Sequence, residues 1–165
     1  MKKPSSPLLY TRQTAIGHIG LAERDGVLIE LAFRAKPMEK PLPEPELIQR
    51  VFAQIEDYLA GRRKNFDVPL LLEGTPFMRR VWEALRAIPY GETRSYKNIA
   101  AAIGQPGAMR AVGMANNRNP IALIIPCHRV IGADGSLVGF GGGLDIKRRL
   151  LELEAGGAHL PLWRA

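Results

Sequence analysis

The sequence has only one cysteine, Cys127, among its 165 residues, together with three histidines. One thiol cannot form an intrachain disulfide, and it cannot supply the thiolates of a cysteine-rich structural zinc site. A lone cysteine is therefore either an inert buried side chain or a reactive nucleophile. With so little cysteine and no export signal, we expect the reducing environment of the cytoplasm.

The sequence also lacks a long apolar run. No stretch approaches the roughly 20 residues that a membrane-spanning helix needs. The first residues, MKKPSSPLLYTRQ, place proline, serine and arginine where a signal peptide has its apolar core. We therefore expect neither a membrane partner nor secretion. Apolar residues make up 46% of the chain and charged residues 24%, which suits a packed globular protein.

The charge is distributed unevenly along the chain. Residues 1–75 contain 11 Lys and Arg against 10 Asp and Glu, whereas residues 76–165 contain 12 against 6. The formal net charge of +7 thus resides almost wholly in the C-terminal half. A basic half beside a neutral half favours a polyanionic partner such as DNA. The alternative is a solvated basic face that only keeps the protein in solution.

The N-terminal part predicts a small α+β unit. Apolar segments at residues 14–21 and 27–33 flank Asp25-Gly26, which predicts a β-hairpin. Apolar residues at helical spacing over residues 47–59 predict a helix that ends at Gly61. Residues 65–72 predict a short strand or an extended linker. We place the domain boundary after this segment, with a supporting domain at 1–73 and a second domain at 74–165.

The second domain is predicted to be mostly helical. Thr75 and Ser95 are expected to cap two helices, and residues 108–117 predict a third, which follows a glycine-containing turn. Two short helices joined in this way form a helix-turn-helix, a common DNA-binding arrangement. The apolar run at residues 121–125 predicts a buried strand that Pro126 ends. A last helix at residues 145–154 places Glu154 at its C-terminal end.

The third helix has an unusual composition, since Arg110 stands alone among small residues in AMRAVGMANN. Small side chains permit close approach to a minor groove, and they equally permit close packing against another helix. The composition leaves both interpretations open.

Cys127 and His128 are the candidate chemical groups. A histidine near a thiol can act as its base, and a carboxylate such as Glu154 can orient the histidine. Adjacent strand residues point to opposite faces, so His128 reaches Cys127 only through a turn or a water molecule. His18 and His159 have no evident role. The residues alone leave three hypotheses: a reactive thiol acting on DNA, a non-catalytic helix-turn-helix binder, and a cysteine hydrolase or acyltransferase.

The run IALIIPCHRVIGADGSLVGFGGG, with RAVG before it and a helix ending in glutamate after it, resembles the O6-alkylguanine-DNA alkyltransferases, also called methylated-DNA--protein-cysteine methyltransferases. The resemblance extends over about residues 74–156. It implies an α/β (α+β) fold, with a small ribonuclease-H-like N-terminal domain followed by a mostly helical, winged-helix-like domain containing the helix-turn-helix.

The resemblance also implies the activity. The expected reaction is DNA repair by irreversible, stoichiometric transfer of a methyl or other alkyl group from O6 of guanine to Cys127, with base flipping through the minor groove. It leaves open transfer from O4 of thymine and cooperative binding along DNA. The expected partner is double-stranded DNA that contains O6-alkylguanine, bound by a monomer with no cofactor and no metal.

Residue roles follow from the same resemblance. Cys127 matches the alkyl acceptor, and His128 matches the histidine that takes its proton through a water molecule. Glu154 matches the carboxylate that orients this histidine, and Asn119 matches the asparagine that braces the active-site turn.

Further positions match residues that contact DNA or the flipped base. Arg110 matches the arginine that fills the gap in the base stack, and Tyr96 matches the tyrosine near the flipped guanine. Phe140 stands where many relatives have tyrosine, so stacking is retained without a hydroxyl. Gly141 stands where some have serine, which leaves a backbone donor to the guanine oxygen. The remaining matches are expected contacts to the DNA backbone: Lys97, Gln105 and Ala133.

Overall fold

The computed structural model describes residues 7–156, and its N-terminal part is built on a three-stranded antiparallel sheet. The strands are β1 (Tyr10–Thr14), β2 (Gly17–Arg24) and β3 (Val27–Phe33), in the order β1-β2-β3. Asp25 and Gly26, at φ 52° and 78°, form the turn of the predicted hairpin. This hairpin is confirmed, whereas β1 was not predicted.

The first helix, α1 (Glu46–Leu59), packs against β2. It buries one apolar face on the sheet, and Gly61 adopts φ 76° just beyond its end, as the sequence predicts. The buried face consists of Ile48, Val51, Phe52, Gln54, Ile55 and Tyr58.

The outer edge of β3 is closed by two segments from further along the chain. Leu28 pairs with Leu70, and Leu31 pairs with Ile121, both in parallel orientation. The Leu31 amide donates to the Pro120 carbonyl at 2.9 Å. The N-terminal sheet is therefore joined through its backbone to the segment that precedes Cys127.

The remaining helices are α2 (Pro76–Arg86), α3 (Tyr96–Ala102), α4 (Met109–Asn117) and α5 (Leu144–Glu154). The caps predicted for α2 and α3, Thr75 and Ser95, are confirmed. The Thr75 hydroxyl accepts from the Met78 amide at 3.1 Å, and Ser95 and Asn98 form a reciprocal capping box. The turn between α3 and α4 includes Gly104 at φ 75°, so the helix-turn-helix prediction is also confirmed.

The predicted strand at residues 121–125 is wrong. Ile121 and Ala122 make isolated bridges, and the chain then turns, with Leu123 at φ 72°. An apolar run shows that a segment is buried, but it does not distinguish a strand from a buried turn. Within residues 7–156, the second sheet consists of β4 (Arg94–Ser95) and β5 (Val130–Ile131), which pair in parallel.

One hydrophobic core extends from the N-terminal sheet to the last helix. Trp82 is almost fully buried in this core, and its indole Nε1 donates to the Ala115 carbonyl at 2.9 Å, which ties α2 to α4. The mixed α+β fold agrees with the expected class. The domain boundary at residues 73 and 74 stays a prediction. Within residues 7–156, no helix is both long enough and apolar enough to cross a membrane.

Candidate active site

Cys127 lies in a short 3₁₀ turn, Cys127–Arg129, between Pro126 and β5. The turn begins with a hydrogen bond from the Cys127 amide to the Ile125 carbonyl at 2.7 Å. Cys127 is 4% exposed and His128 is fully buried. A turn, not a strand, therefore carries the cysteine and the histidine, which is one of the two arrangements that the sequence argument allowed.

Asn119 braces the segment that leads into this turn. Its side-chain Nδ2 donates to the Ile125 carbonyl at 2.8 Å, and its Oδ1 accepts from the Ile121 amide at 3.0 Å. One amide side chain therefore closes the loop from residue 119 to residue 125. Because the Ile125 carbonyl also accepts from the Cys127 amide, Asn119 fixes the backbone on which Cys127 sits.

Glu154 is the centre of a buried hydrogen-bond network. His128 Nε2 lies 2.8 Å from Glu154 Oε1. Arg129 donates from Nη2 to Oε1 and from Nε to Oε2, both at 2.9 Å, which is the two-point geometry that arginine prefers with carboxylates. Tyr58 on α1 donates its hydroxyl to Oε1 at 2.6 Å.

The charges of this network follow from its contacts. Burial alone would raise the pKa of Glu154, but the hydrogen bonds and positive charge of His128 and Arg129 outweigh it and lower that pKa to about 2. Glu154 is therefore an anion. Burial lowers the pKa of His128 despite its carboxylate partner, so the imidazole is neutral at physiological pH.

The thiol is also neutral in the resting protein. Burial raises the pKa of Cys127, while the Asn119 amide and the Lys147 ammonium partly oppose this shift. Cys127 and His128 are thus a neutral thiol beside a neutral imidazole. The His128 Nδ1 is buried and has no hydrogen-bond partner within residues 7–156. This nitrogen is therefore free to accept a proton.

The loop at residues 138–143, which we call the glycine loop, is held by hydrogen bonds from Tyr96 and Lys147. The Val138 carbonyl accepts from the Tyr96 hydroxyl at 3.0 Å and from Lys147 Nζ at 2.9 Å. Tyr96 and Lys147 both lie near enough to Cys127 for a thiolate there to raise their pKa values, so the glycine loop is close to the thiol. Burial lowers the pKa of Lys147 to about 8.

Aromatic and backbone contacts complete the glycine loop. The Phe140 ring lies 5.4 Å from the Phe33 ring of β3, with Lys147 Nζ 6.0 Å from its centre. Gly141 is exposed. Arg34, which follows β3, donates from Nε to the Gly142 carbonyl at 2.8 Å. Residues from both halves of the chain therefore hold this loop.

The expected DNA contacts lie on the surface of the helical part. Arg110 is exposed near the start of α4 and has no ion-pair partner among the described residues. Lys97 on α3 and Ala133 in the turn after β5 line one shared surface groove. Gln105 is half-buried in the turn between α3 and α4.

The two other histidines add nothing to this site as far as the described residues show. His18 is on β2 of the N-terminal sheet, and His159 falls outside the described residues.

Sequence reasoning missed four residues of this site: Arg34, Tyr58, Arg129 and Lys147. A helical pattern could have revealed Lys147, because it lies seven residues before Glu154 and thus on the same face of α5. Arg129 stands two residues after Cys127 and gave no periodic signal. Arg34 and Tyr58 lie about a hundred residues from their partners, and nothing in one sequence pairs them.

Comparison with known proteins identifies the family. Residues 76–156 match the model of the 6-O-methylguanine DNA methyltransferase DNA-binding domain, and residues 9–72 match the model of its ribonuclease-like domain. The methylated-DNA--protein-cysteine methyltransferase of Mycobacterium bovis is 51% identical over 148 residues, which cover 87% of this chain and 90% of that protein. This chain belongs to the methylated-DNA--protein-cysteine methyltransferase family. The resemblance inferred from the Pro-Cys-His-Arg-Val motif is confirmed.

Other members of the methyltransferase family are similar to this chain to the same degree. The methylated-DNA--protein-cysteine methyltransferase of Methanosarcina barkeri is 51% identical over 147 residues, covering 86% of this chain and 93% of that protein. The crystal structure of Mycobacterium tuberculosis OGT in complex with DNA superposes with a TM-score of 0.82 at 51% identity, covering 90% of this chain and 92% of that one. Like the family, this protein is a DNA-repair methyltransferase that binds DNA and transfers the alkyl group to cysteine.

Proposed function

We propose that this methyltransferase acts on O6-alkylguanine in double-stranded DNA, and that Cys127 is the residue that accepts the alkyl group. One observation carries the assignment. The only cysteine of the chain adjoins a buried histidine whose Nε2 is bonded to Glu154 and whose Nδ1 has no partner within residues 7–156. A nucleophile, a base and an orienting carboxylate are the parts that thiol alkylation needs.

The proton moves along this series of groups. His128 is neutral and buried, so its free Nδ1 can accept the Cys127 proton through one water molecule. Anionic Glu154 stabilises the imidazolium that forms, and Arg129 keeps Glu154 ionised and fixed in position. The thiolate therefore arises only during the reaction, which protects the resting cysteine from unspecific chemistry.

The alkyl group moves in a single displacement. The thiolate sulfur attacks the alkyl carbon, a carbon–sulfur bond forms, and the bond from that carbon to guanine O6 breaks. Burial raises the pKa of Tyr96, so its hydroxyl keeps its proton and can donate toward the leaving base. Tyr96 donates a hydrogen bond and stays protonated, the leaving guanine takes one proton from water, and the His128 imidazolium returns the thiol proton to water, so that the step balances. Because water does not cleave the thioether, each molecule acts once and needs no cofactor.

The lesion has to leave the base stack to reach a thiol that is only 4% exposed. Flipping costs a few kcal/mol, which Arg110 would offset by filling the gap in the stack. A minor-groove approach suits α4, whose small residues allow its backbone to come close to DNA. Lys97, Gln105 and Ala133 would contact the phosphate backbone, and Phe140 and Gly141 the flipped base.

This proposal includes the assembly and location of the protein. The supporting domain at 1–73 and the catalytic domain at 74–165 would act together as a monomer on duplex DNA. We propose the cytoplasm as its location, because reducing conditions there keep a free reactive thiol intact. Transfer from O4-alkylthymine is tested by the assay below with a duplex that carries labelled O4-methylthymine.

The experiment is a transfer assay with a duplex carrying labelled O6-methylguanine. We expect the label to reach the protein at one equivalent, intact mass to increase by one methylene group, and peptide mapping to place the adduct on Cys127. Cys127→Ala should bind the duplex and accept no label.

Three outcomes would contradict the proposal. Transfer that persists in Cys127→Ala would overturn the assignment of the acceptor. Duplex binding without any adduct would indicate a non-catalytic binder. Many turnovers on an ester or peptide would indicate a cysteine hydrolase.

A further inference from the structure

The buried carboxylate of Glu154 has a donor that comes from the N-terminal part of the chain. The Tyr58 hydroxyl on α1 lies 2.6 Å from Glu154 Oε1, the same oxygen that His128 Nε2 meets at 2.8 Å. The two bonded residues are 96 positions apart in the sequence. Tyr58 is fully buried, so its hydroxyl has no contact with solvent that could replace this bond.

The position of the Tyr58 hydroxyl is fixed by packing. Tyr58 shares the buried face of α1 with Val51 and Ile55. Its ring packs against Phe66 at 5.3 Å and meets the Tyr90 ring edge-on at 6.1 Å and 84°. Edge-on aromatic contacts of this kind are favourable and restrict the ring. The hydroxyl is therefore held in place before any DNA binds.

We propose that Tyr58 is a positioning residue that sets the strength of His128 as a base, by sharing the negative charge on Glu154 Oε1. The inference rests on the proposed function, since it concerns the base of that reaction. A hydrogen bond to a carboxylate oxygen disperses its charge and weakens its hold on a neighbouring imidazolium. The N-terminal part of the chain would in this way contribute directly to alkyl transfer.

Tyr58 is suited to this task because its own charge does not change. Burial, followed by the negative charge of Glu154, raises its pKa, so the phenol remains a neutral donor wherever the protein is folded. The other titratable or charged groups that act on Tyr58 or His128 are Glu154, Arg129, Tyr90 and Lys147. Among these groups, Arg129 forms an ion pair with Glu154. Tyr90 and Lys147 make no hydrogen bond to Glu154 Oε1.

The test is Tyr58→Phe in the full chain, which removes one oxygen and keeps the ring. Without the phenol, Glu154 Oε1 stabilises the His128 imidazolium more strongly, and the pKa of His128 rises. In single-turnover transfer at saturating duplex, we expect the acid limb of the pH–rate profile to move to higher pH by about half a unit. On that limb the rate then falls about threefold, with little change on the plateau.

Tyr90→Phe is the matched control, because it removes a hydroxyl from the same aromatic cluster without removing a bond to Glu154. We expect its profile to coincide with that of the original protein. Loss of stability in Tyr58→Phe with an unmoved acid limb would reduce Tyr58 to a packing residue and overturn the inference.

A second readout does not depend on alkyl transfer. In the free protein, the His128 Nε2 proton resonance should move downfield in Tyr58→Phe, because its acceptor oxygen has lost a competing donor. An unchanged or upfield-shifted resonance would overturn the inference. If the original protein transfers no label, the proposed function fails by itself, and this resonance still decides the role of Tyr58.

Discussion

Two regions meet at Cys127, and they differ in how they are held. The base cluster, which consists of His128, Arg129 and Glu154, is almost wholly buried, and its members are bonded to one carboxylate at 2.8 to 2.9 Å. The glycine loop is half-exposed and is held through its backbone carbonyls by long side chains from other elements. The base is therefore preorganised, whereas the substrate side depends on a few separate contacts.

This difference separates stability from substrate handling. Removing Glu154 or Arg129 leaves the buried charge of the other without its partner, which harms both folding and chemistry. Removing a contact to the glycine loop leaves exposed carbonyls that water can satisfy, so folding is spared. The three predictions below test this separation, beginning with the largest expected effect.

The largest effect is expected for Glu154→Gln. The Arg129 guanidinium then lacks its charged partner in a buried position, and His128 lacks the carboxylate that stabilises its charged form. We expect a loss of about 3 kcal/mol in the free energy of unfolding and a loss of alkyl transfer. Urea denaturation and single-turnover transfer measure the two effects. Glu83→Gln makes the same change in an exposed ion pair on α2 and should cost less than about 0.5 kcal/mol.

The contribution of the base cluster to the free energy of unfolding should also depend on pH. The pKa of Glu154 in the folded protein is about 2, below its ordinary value of 4.5, so the unfolded chain binds this proton more readily. The contribution of Glu154 is therefore complete above about pH 4.5 and is lost as the pH falls toward about 2. Over this window the original protein should lose on the order of 3 kcal/mol more than Glu154→Gln. Parallel slopes of unfolding free energy against pH for the two proteins would show that folding does not lower the pKa of Glu154.

The smallest effect on folding is expected for Lys147→Met, which frees the Val138 carbonyl from one of its two donors and removes a positive charge near the thiol. Because Lys147 is buried, apolar methionine fits its site, and we expect a change in unfolding free energy below about 1 kcal/mol. The transfer rate should fall about tenfold, since the glycine loop on the substrate side of Cys127 is no longer fixed. Arg149→Met on the exposed side of α5 is the control. An unchanged transfer rate would show that the glycine loop needs no ammonium.

The sequence predicted contacts of this site between residues that are close along the chain, and it did not predict contacts between distant ones. The Pro-Cys-His-Arg-Val motif brought Cys127 and His128 together as the candidate nucleophile and base, because these residues are adjacent, and their roles remain a proposal. The residues alone made Glu154, 26 positions from His128, only a candidate partner, and the resemblance was needed to single it out, since spacing does not bring two elements together. Tyr58 could not be found at all, because its contact depends on how α1 packs across the core.

The fold was predicted to a similar degree. Helix caps and the Asp-Gly turn depend on local chemistry, and Thr75, Ser95 and Gly26 were assigned correctly. The failure at residues 121–125 has a tertiary cause. The chain there turns under the bracing of Asn119 and the pairing of Ile121 with Leu31, and neither contact is visible in an apolar run.

The closed edge of β3 has a consequence for how the protein is made. Leu31 leaves the ribosome about ninety residues before Ile121, the partner that closes its edge. At the usual 5–20 residues per second, roughly 5 to 20 seconds pass with that strand open to pairing with another chain. If each molecule is spent on one lesion, every repair event requires a new passage through this interval. The capacity for repair then depends on how many newly made chains fold without pairing the open edge of β3 with another chain.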